Sequence, residues 1–136
     1  MQVGDLKNGF LETLENLSTI GDLPMKDWQA ICTEIFQNPI YTIFVAEDEG
    51  KIIGTATLLL ERKFIHAGGI VGHIENVVVK KEYQRQGIGG KLVAHAIVYA
   101  KENACYKVIL DCSEQNVSFY EKFGFKKHEI CMRLDL

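Results

Sequence analysis

Basic charge is scarce in this chain of 136 residues: 15 Lys and Arg stand against 18 Asp and Glu, a net charge of −3. Binding a nucleic-acid backbone needs a basic surface, so nucleic acid is excluded as the main partner. Proline occurs only at Pro24 and Pro39. With no repeat or low-complexity stretch to mark a linker, a single domain over 1–136 is expected. Long hydrophobic runs are also missing. The longest, Ile52 to Leu60, has nine residues and includes Gly54, Thr55 and Thr57, whereas a membrane helix needs about 20. The opening MQVGDLKNGF has neither a basic nor an apolar signal region, so it reads as no secretory leader, and a cytoplasmic protein is expected. Cys32, Cys105, Cys112 and Cys131 form no CxxC pair, and His66, His73, His95 and His128 form no HExxH. Reduced thiols and no metal site follow.

Hydrophobic periodicity supplies the elements. Asp5 reads as the N-cap of a helix carrying Leu6, Phe10, Leu14 and Leu17, stopped by Gly21. A second helix starts near Pro24, with Trp28, Ile31, Ile35 and Phe36 on one face, and ends at Asn38-Pro39. Tyr41 to Glu47, the turn Asp48-Glu49-Gly50, and Lys51 to Arg62 read as an antiparallel hairpin. Lys63 to Gly72 is a connection containing Ala67-Gly68-Gly69, and Gly72 to Val79 is a third strand. A helix follows with Ile88, Leu92, Val93, Ala96, Ile97 and Ala100 on one face. Then come a strand at Tyr106 to Cys112, a short helix at Val117 to Phe123 and a last strand at Lys127 to Leu134. The strand–helix–strand unit requires one parallel pair in an otherwise antiparallel sheet.

The chemically informative stretch runs from Val77 to Lys91. A buried strand feeds Tyr83-Gln84-Arg85-Gln86-Gly87-Ile88-Gly89-Gly90, which opens a helix. Glycines let the backbone approach an anion, and the free N–H groups at a helix start face it. The Walker pattern fails because Leu92 follows Gly90-Lys91, and the dinucleotide pattern GxGxxG fails because its third glycine is Leu92. The fit is to Q/R-x-x-G-x-G/A through Gln84, Gly87 and Gly89. A tight strand-to-helix turn with no ligand is the plain alternative.

With these residues the chain resembles the GNAT superfamily of acetyl-CoA-dependent N-acetyltransferases, and within it the glucosamine-6-phosphate N-acetyltransferases. The resemblance spans LSTIGDL at 17–23, GTATLLLERKFIH at 54–66, GHIENVVV at 72–79, the Gly-rich turn, CYK at 105–107, LDC at 110–112 and QNVSFYEKFGF at 115–125. It implies an α/β acyltransferase fold: a mixed central β-sheet flanked by helices, with one parallel strand pair splayed around CoA. It departs in two places. The family has an acidic residue after Glu75 where this chain has Asn76, and a first strand where only Met1 to Gly4 precede the first helix.

The resemblance implies acetyl-CoA as cosubstrate. Val77, Val78 and Val79 would offer strand backbone to the pantetheine arm. Gln84, Arg85, Gln86, Gly87, Ile88, Gly89, Gly90 and Lys91 would hold the pyrophosphate, with Lys80 and Lys81 adding to the basic field. Asn116 would contact pantetheine, or serve only as a helix cap. It also implies that Asp111 receives the amine's proton, with Glu75 acting through water. Tyr120 would face the leaving sulfur. A phenol at about 10 against a thiol at about 8.5 makes full proton transfer uphill by roughly 2 kcal/mol, so Tyr120 stabilises the thiolate by hydrogen bonding or passes a proton late. Ser18, Lys63, His66, Glu75, Asn76, Cys105, Asp111 and Arg133 would line the amino sugar phosphate. No cysteine has a histidine near it in sequence, so direct transfer in a ternary complex is expected over a covalent enzyme intermediate. The implied reaction makes N-acetylglucosamine 6-phosphate, a step toward UDP-N-acetylglucosamine, in a homodimer with both chains at the substrate. A different acceptor (protein lysine or polyamine), a non-catalytic acyl-CoA-binding module and a nucleotide-binding protein are the alternatives.

Overall fold

The computed structural model describes residues 1–136. Four strands form one sheet in the order β1-β2-β3-β4: β1 (Tyr41–Asp48), β2 (Lys51–Arg62), β3 (Ile70–Val79) and β4 (Cys105–Leu110). β1–β2 and β2–β3 are antiparallel, and β3–β4 is parallel, as the strand–helix–strand pattern requires. The helices are α1 (Phe10–Leu14), α2 (Met25–Gln37), the single turn α3 (Ile65–Gly68), α4 (Ile88–Glu102) and α5 (Val117–Glu121). No helix is long and apolar enough to cross a membrane.

The sheet is covered on both faces. On one, Leu92, Val93, Ala96 and Ala100 of α4 are buried, and the last three join Leu58 and Ile74 in a common cluster. The two alanines bring the helix axis close to the strands. On the other face Leu6, Phe10, Cys32 and Ile52 form a second cluster. This changes the expected face of α2. Cys32, with Met25 and Trp28 beside it, turns inward, while Ile31 and Phe36 are exposed.

The expected helix from Asp5 through Leu17 is broken. A 3₁₀ turn at Val3–Lys7 precedes α1, and Gly9 separates them at φ +96. A Cβ on Gly9 would lie 2.9 Å from the Ile52 carbonyl oxygen, so docking on β2 excludes a side chain as well as favouring the left-handed backbone. The Ile52 N–H donates to the Asn8 carbonyl at 2.7 Å. Fully buried Thr13 sets its hydroxyl 2.7 Å from the Gly9 carbonyl and 2.9 Å from that of Ile52. Asp5 is not the cap; its carboxylate accepts the Gln2 N–H at 2.8 Å.

The expected last strand is also absent. Residues beyond Gly124 form no helix or strand, and Ile130, Met132, Leu134 and Leu136 are each more than four-fifths exposed. Their alternation is strand-like, but a strand needs a ladder partner, and this chain supplies none there.

One ion pair ties α1 to the end of β3. Lys80, its side chain 12% exposed, places its ammonium 2.9 Å from Glu12, which is 71% exposed. The Lys80 hydrogen bond and then its charge hold the Glu12 carboxyl below its ordinary range. A carboxylate depressed in the folded state stabilises the fold above its unfolded value and loses that contribution as pH falls through the folded one, so the window lies below pH 4.5. Glu12→Gln is expected to lower Tm at pH 7 by about 2–3 °C and to flatten the loss of stability within that window. An unchanged Tm and acid limb would show that the pair contributes nothing.

Candidate active site

The site begins where the parallel pair ends. β3 and β4 pair from Ile70↔Cys105 to Ile74↔Leu110, with one register shift after Ile70, and β3 then continues through Glu75, Asn76, Val77, Val78 and Val79 with no β4 partner. The strands splay, and one edge of β3 is open to an added strand-like ligand.

A bulge aims this open stretch. Thr57 pairs with Glu75 and Thr55 with Val78, so Asn76 and Val77 together oppose Ala56. Asn76 takes the left-handed conformation, φ +52, which Asn tolerates better than most residues. The extra residue changes the strand's parity. Ile74 packs in the α4 cluster before the bulge, and Val77 and Val79 pack against α4 after it. Without it both valines would turn to the other face. The departure at Asn76 therefore has a backbone role.

Beyond β3 the chain makes the Gly-rich turn. Arg85 at φ +63 and Gly87 at φ +80 curl the backbone, and α4 starts at Ile88. The N–H of Lys91 donates to the Gly87 carbonyl, but those of Arg85, Gln86, Gly87, Ile88, Gly89 and Gly90 have no acceptor within the chain. Six consecutive free N–H groups at the positive end of a 15-residue helix form an anion cradle. Gln84 has a different part. Its side chain donates to the Val79 carbonyl at 3.0 Å, and its N–H to that of Lys81 at 3.3 Å, so it braces the turn. Lys80 is committed to Glu12, which removes it from the expected basic field. Gln86, Ile88 and Lys91 line a cavity of about 580 Å³ with Ile43, Ile53 and Tyr83, on the β1 side of α4. Gly89 and Gly90 face the opposite way. Cβ atoms there would lie 3.7 Å from Val79 and Phe119, and 3.3 Å from Phe123. Phe119 of α5 and Phe123 of the turn after it thus wall the slot between α4, the end of β3 and α5, a role that their spacing of four could have signalled.

The acid and phenol groups gather at the mouth of the splay. Asp111 immediately follows β4, and the Cys131 thiol donates to its carboxylate at 3.4 Å. Cys131 is pushed up by that bond, by the Asp111 charge and by burial, with the Glu75 charge adding to the rise. Nothing in the sequence linked Cys131 to Asp111. Tyr120 is buried in the α4 cluster, edge-on to Phe119 at 4.9 Å and to Phe125 at 6.0 Å. Burial, then nearby Cys112, raises its phenol above the ordinary value. It stays protonated as a donor, and its hydroxyl has no acceptor within the chain. Asn116 precedes α5 without a side-chain capping bond, so its carboxamide is unspent.

The expected substrate residues divide. Lys63 lies 2.5 Å from Glu61. His66, at φ +52, stacks on Tyr106 with centroids 4.4 Å apart. Cys105, half-buried, packs against the core cluster under α4, and burial pushes its thiol up. Ser18 lines a shallow cavity of about 450 Å³ in the loop after α1, two residues from Asn16, whose side chain accepts the Lys81 N–H at 3.4 Å. Arg133 pairs with Asp135 at 2.5 Å on the exposed tail, so within one chain it joins no pocket.

Residues 8–125 match the model of the acetyltransferase (GNAT) family. The chain is similar to the glucosamine 6-phosphate N-acetyltransferase of Candida albicans, 41% identical over 93% of this chain and 86% of the relative. Its fold is similar to the crystal structure of glucosamine-6-phosphate N-acetyltransferase from Arabidopsis thaliana, with a TM-score of 0.95 and 36% identity over 99% of this chain and 94% of that one. A Trypanosoma brucei acetyltransferase structure superposes with a TM-score of 0.91 at 37% identity, covering 100% of this chain and 96% of the other. A splayed parallel pair, a helix-start cradle with six free N–H groups and these matches lead to one assignment: the chain belongs to the acetyltransferase (GNAT) family, whose members use acyl-CoA as cosubstrate.

Proposed function

We propose that this protein transfers the acetyl group of acetyl-CoA to the amine of glucosamine 6-phosphate, giving N-acetylglucosamine 6-phosphate and CoA by direct attack in a ternary complex. The observation that carries it is the splay itself, with free backbone N–H groups at its α4 side and Asp111 and Glu75 at its mouth. Pantetheine adds to β3 as a strand, and the pyrophosphate rests on Arg85 to Gly90. Backbone N–H near Val77 to Val79 polarises the thioester carbonyl. The amine nitrogen attacks the carbonyl carbon, the carbon–sulfur bond breaks, and Asp111 takes the nitrogen's proton directly or through water. Tyr120, held neutral by burial, donates a hydrogen bond to the departing sulfur. The names of the similar enzymes support the phosphorylated sugar as acceptor. Mass spectrometry of a reaction with acetyl-CoA and glucosamine 6-phosphate tests it. The N-acetylated sugar phosphate is the expected product, and acetylation of an added lysine peptide alone would overturn the acceptor.

The same reading includes a second copy of the chain. β4 ends the sheet with one edge unpaired. Phe64, Ile65, Tyr106 and Ile109 are exposed around it, and the tail adds Ile130, Met132, Leu134 and Leu136. An open edge beside an unpaired strand-like tail is a pairing surface. Through it Arg133 reaches the sugar phosphate of the other copy. Deleting residues 126–136 is expected to turn a dimer into a monomer in sedimentation velocity. Arg133→Ala is expected to raise KM for the sugar phosphate about tenfold with little change for acetyl-CoA. A truncated chain that stays dimeric, or equal effects on both substrates, would contradict this arrangement.

A further inference from the structure

On the β2–β3 ladder, alongside the paired stretch of β3 that precedes the splay, one carboxylate is divided between two bases. Glu61, near the end of β2, sets Oε1 2.5 Å from Lys63 Nζ and Oε2 2.8 Å from His73 Nε2. The Lys63 bond, then the His73 bond, hold its carboxyl below the usual range. His73, on β3, pairs with Leu59 of β2 and with Ile109 of β4. It precedes Glu75 by two residues, about 7 Å along a strand. Gly72 and Ile74 face α4, so His73 points to the opposite side.

We propose that His73 is a positioning residue that controls, through Glu61, how much of the Lys63 charge reaches the anionic group of the acceptor. This deepens the sugar-phosphate reading and rests on it. With a neutral imidazole, Glu61 cancels Lys63 and the three side chains sum to zero. With an imidazolium, the sum is +1, and Glu61 is engaged by a second charged donor, which leaves the remaining Lys63 donors to the anion. The other charges near His73 are Glu75, farther along β3, and Lys107, paired with Val71 on β4. Histidine is the side chain that ordinarily changes charge between about pH 5 and 8, so acceptor binding and His73 protonation are linked, each promoting the other.

The test is an NMR titration of the His73 ring in the full-length protein, alone and saturated with glucosamine 6-sulfate, whose sulfate, unlike a phosphate, keeps one charge over this range. His73→Gln assigns the resonance. The midpoint is expected to rise by about half a unit or more with ligand, equivalent to about threefold tighter binding by the protonated form. In kinetics below neutrality, His73→Gln should raise KM for glucosamine 6-phosphate about threefold. It should leave kcat and KM for unphosphorylated glucosamine unchanged. On a Glu61→Gln background the same substitution should have no further effect. An unmoved midpoint with bound ligand overturns the proposal, as does an equal effect of His73→Gln with Glu61 removed. A protein that neither binds the sulfated sugar nor acetylates the phosphorylated one overturns the acceptor reading itself, and this proposal with it.

Discussion

Asp111→Asn is expected to lower turnover at least tenfold, and toward 100-fold if the carboxylate is the main proton acceptor, while acetyl-CoA binding stays nearly intact. The asymmetry follows from position. Asp111 lies just past the last β3–β4 pair, at the mouth of the splay and away from the free N–H groups of Arg85 to Gly90 that would hold the pyrophosphate. Asn keeps the side chain's shape and an acceptor oxygen for Cys131 but cannot take the amine's proton. The readouts are steady-state turnover with glucosamine 6-phosphate and acetyl-CoA affinity by calorimetry. Unchanged turnover would remove Asp111 from the chemistry, and a comparable loss of acetyl-CoA affinity would make its part structural.

Gly89→Asp is expected to act on the opposite half of the site. A Cβ at Gly89 meets Val79 and Phe119 at 3.7 Å, an ordinary contact, so the fold accepts it. A carboxylate in the first turn of α4 suits the helix dipole and should leave Tm unchanged or slightly raised. The same carboxylate competes with the pyrophosphate for the free N–H groups and repels it. Acetyl-CoA affinity should fall about 100-fold. Loss of affinity together with a large fall in Tm would mean that the helix start had been disrupted; full affinity would move the pyrophosphate off this turn.

What could be read from the sequence was local and periodic. The hairpin, the strand before the Gly-rich turn and the amphipathic α4 each signal through their own residues, and the parallel pair follows from connectivity alone. What escaped depends on partners distant in sequence. Gly9 carries no mark that the Ile52 carbonyl lies where its side chain would be. Ile31 and Phe36 fit a helical stripe as well as Cys32 does, and only docking against Leu6 and Phe10 decides which face is buried. Lys127 to Leu134 alternates like a strand, but alternation specifies a face and not a neighbour. In the site, the Gly-rich turn announced its anion chemistry through glycine spacing. Asn76 read as a departure at a chemical position, whereas its φ of +52 shows a backbone task. Glu61 and His73 are 12 residues apart in sequence, and only the β2–β3 register brings the imidazole onto the carboxylate that also holds Lys63.

The most direct measurement of the central claim is the rate of CoA thiol release from acetyl-CoA by the purified protein, with glucosamine 6-phosphate, unphosphorylated glucosamine and a lysine peptide compared as acceptors. Rapid release with the phosphorylated sugar, far above the other two, is the predicted result. Release with the peptide alone would keep the fold and the cosubstrate and overturn the acceptor, and acetyl-CoA binding without release for any acceptor would contradict catalysis by Asp111 and Tyr120 altogether.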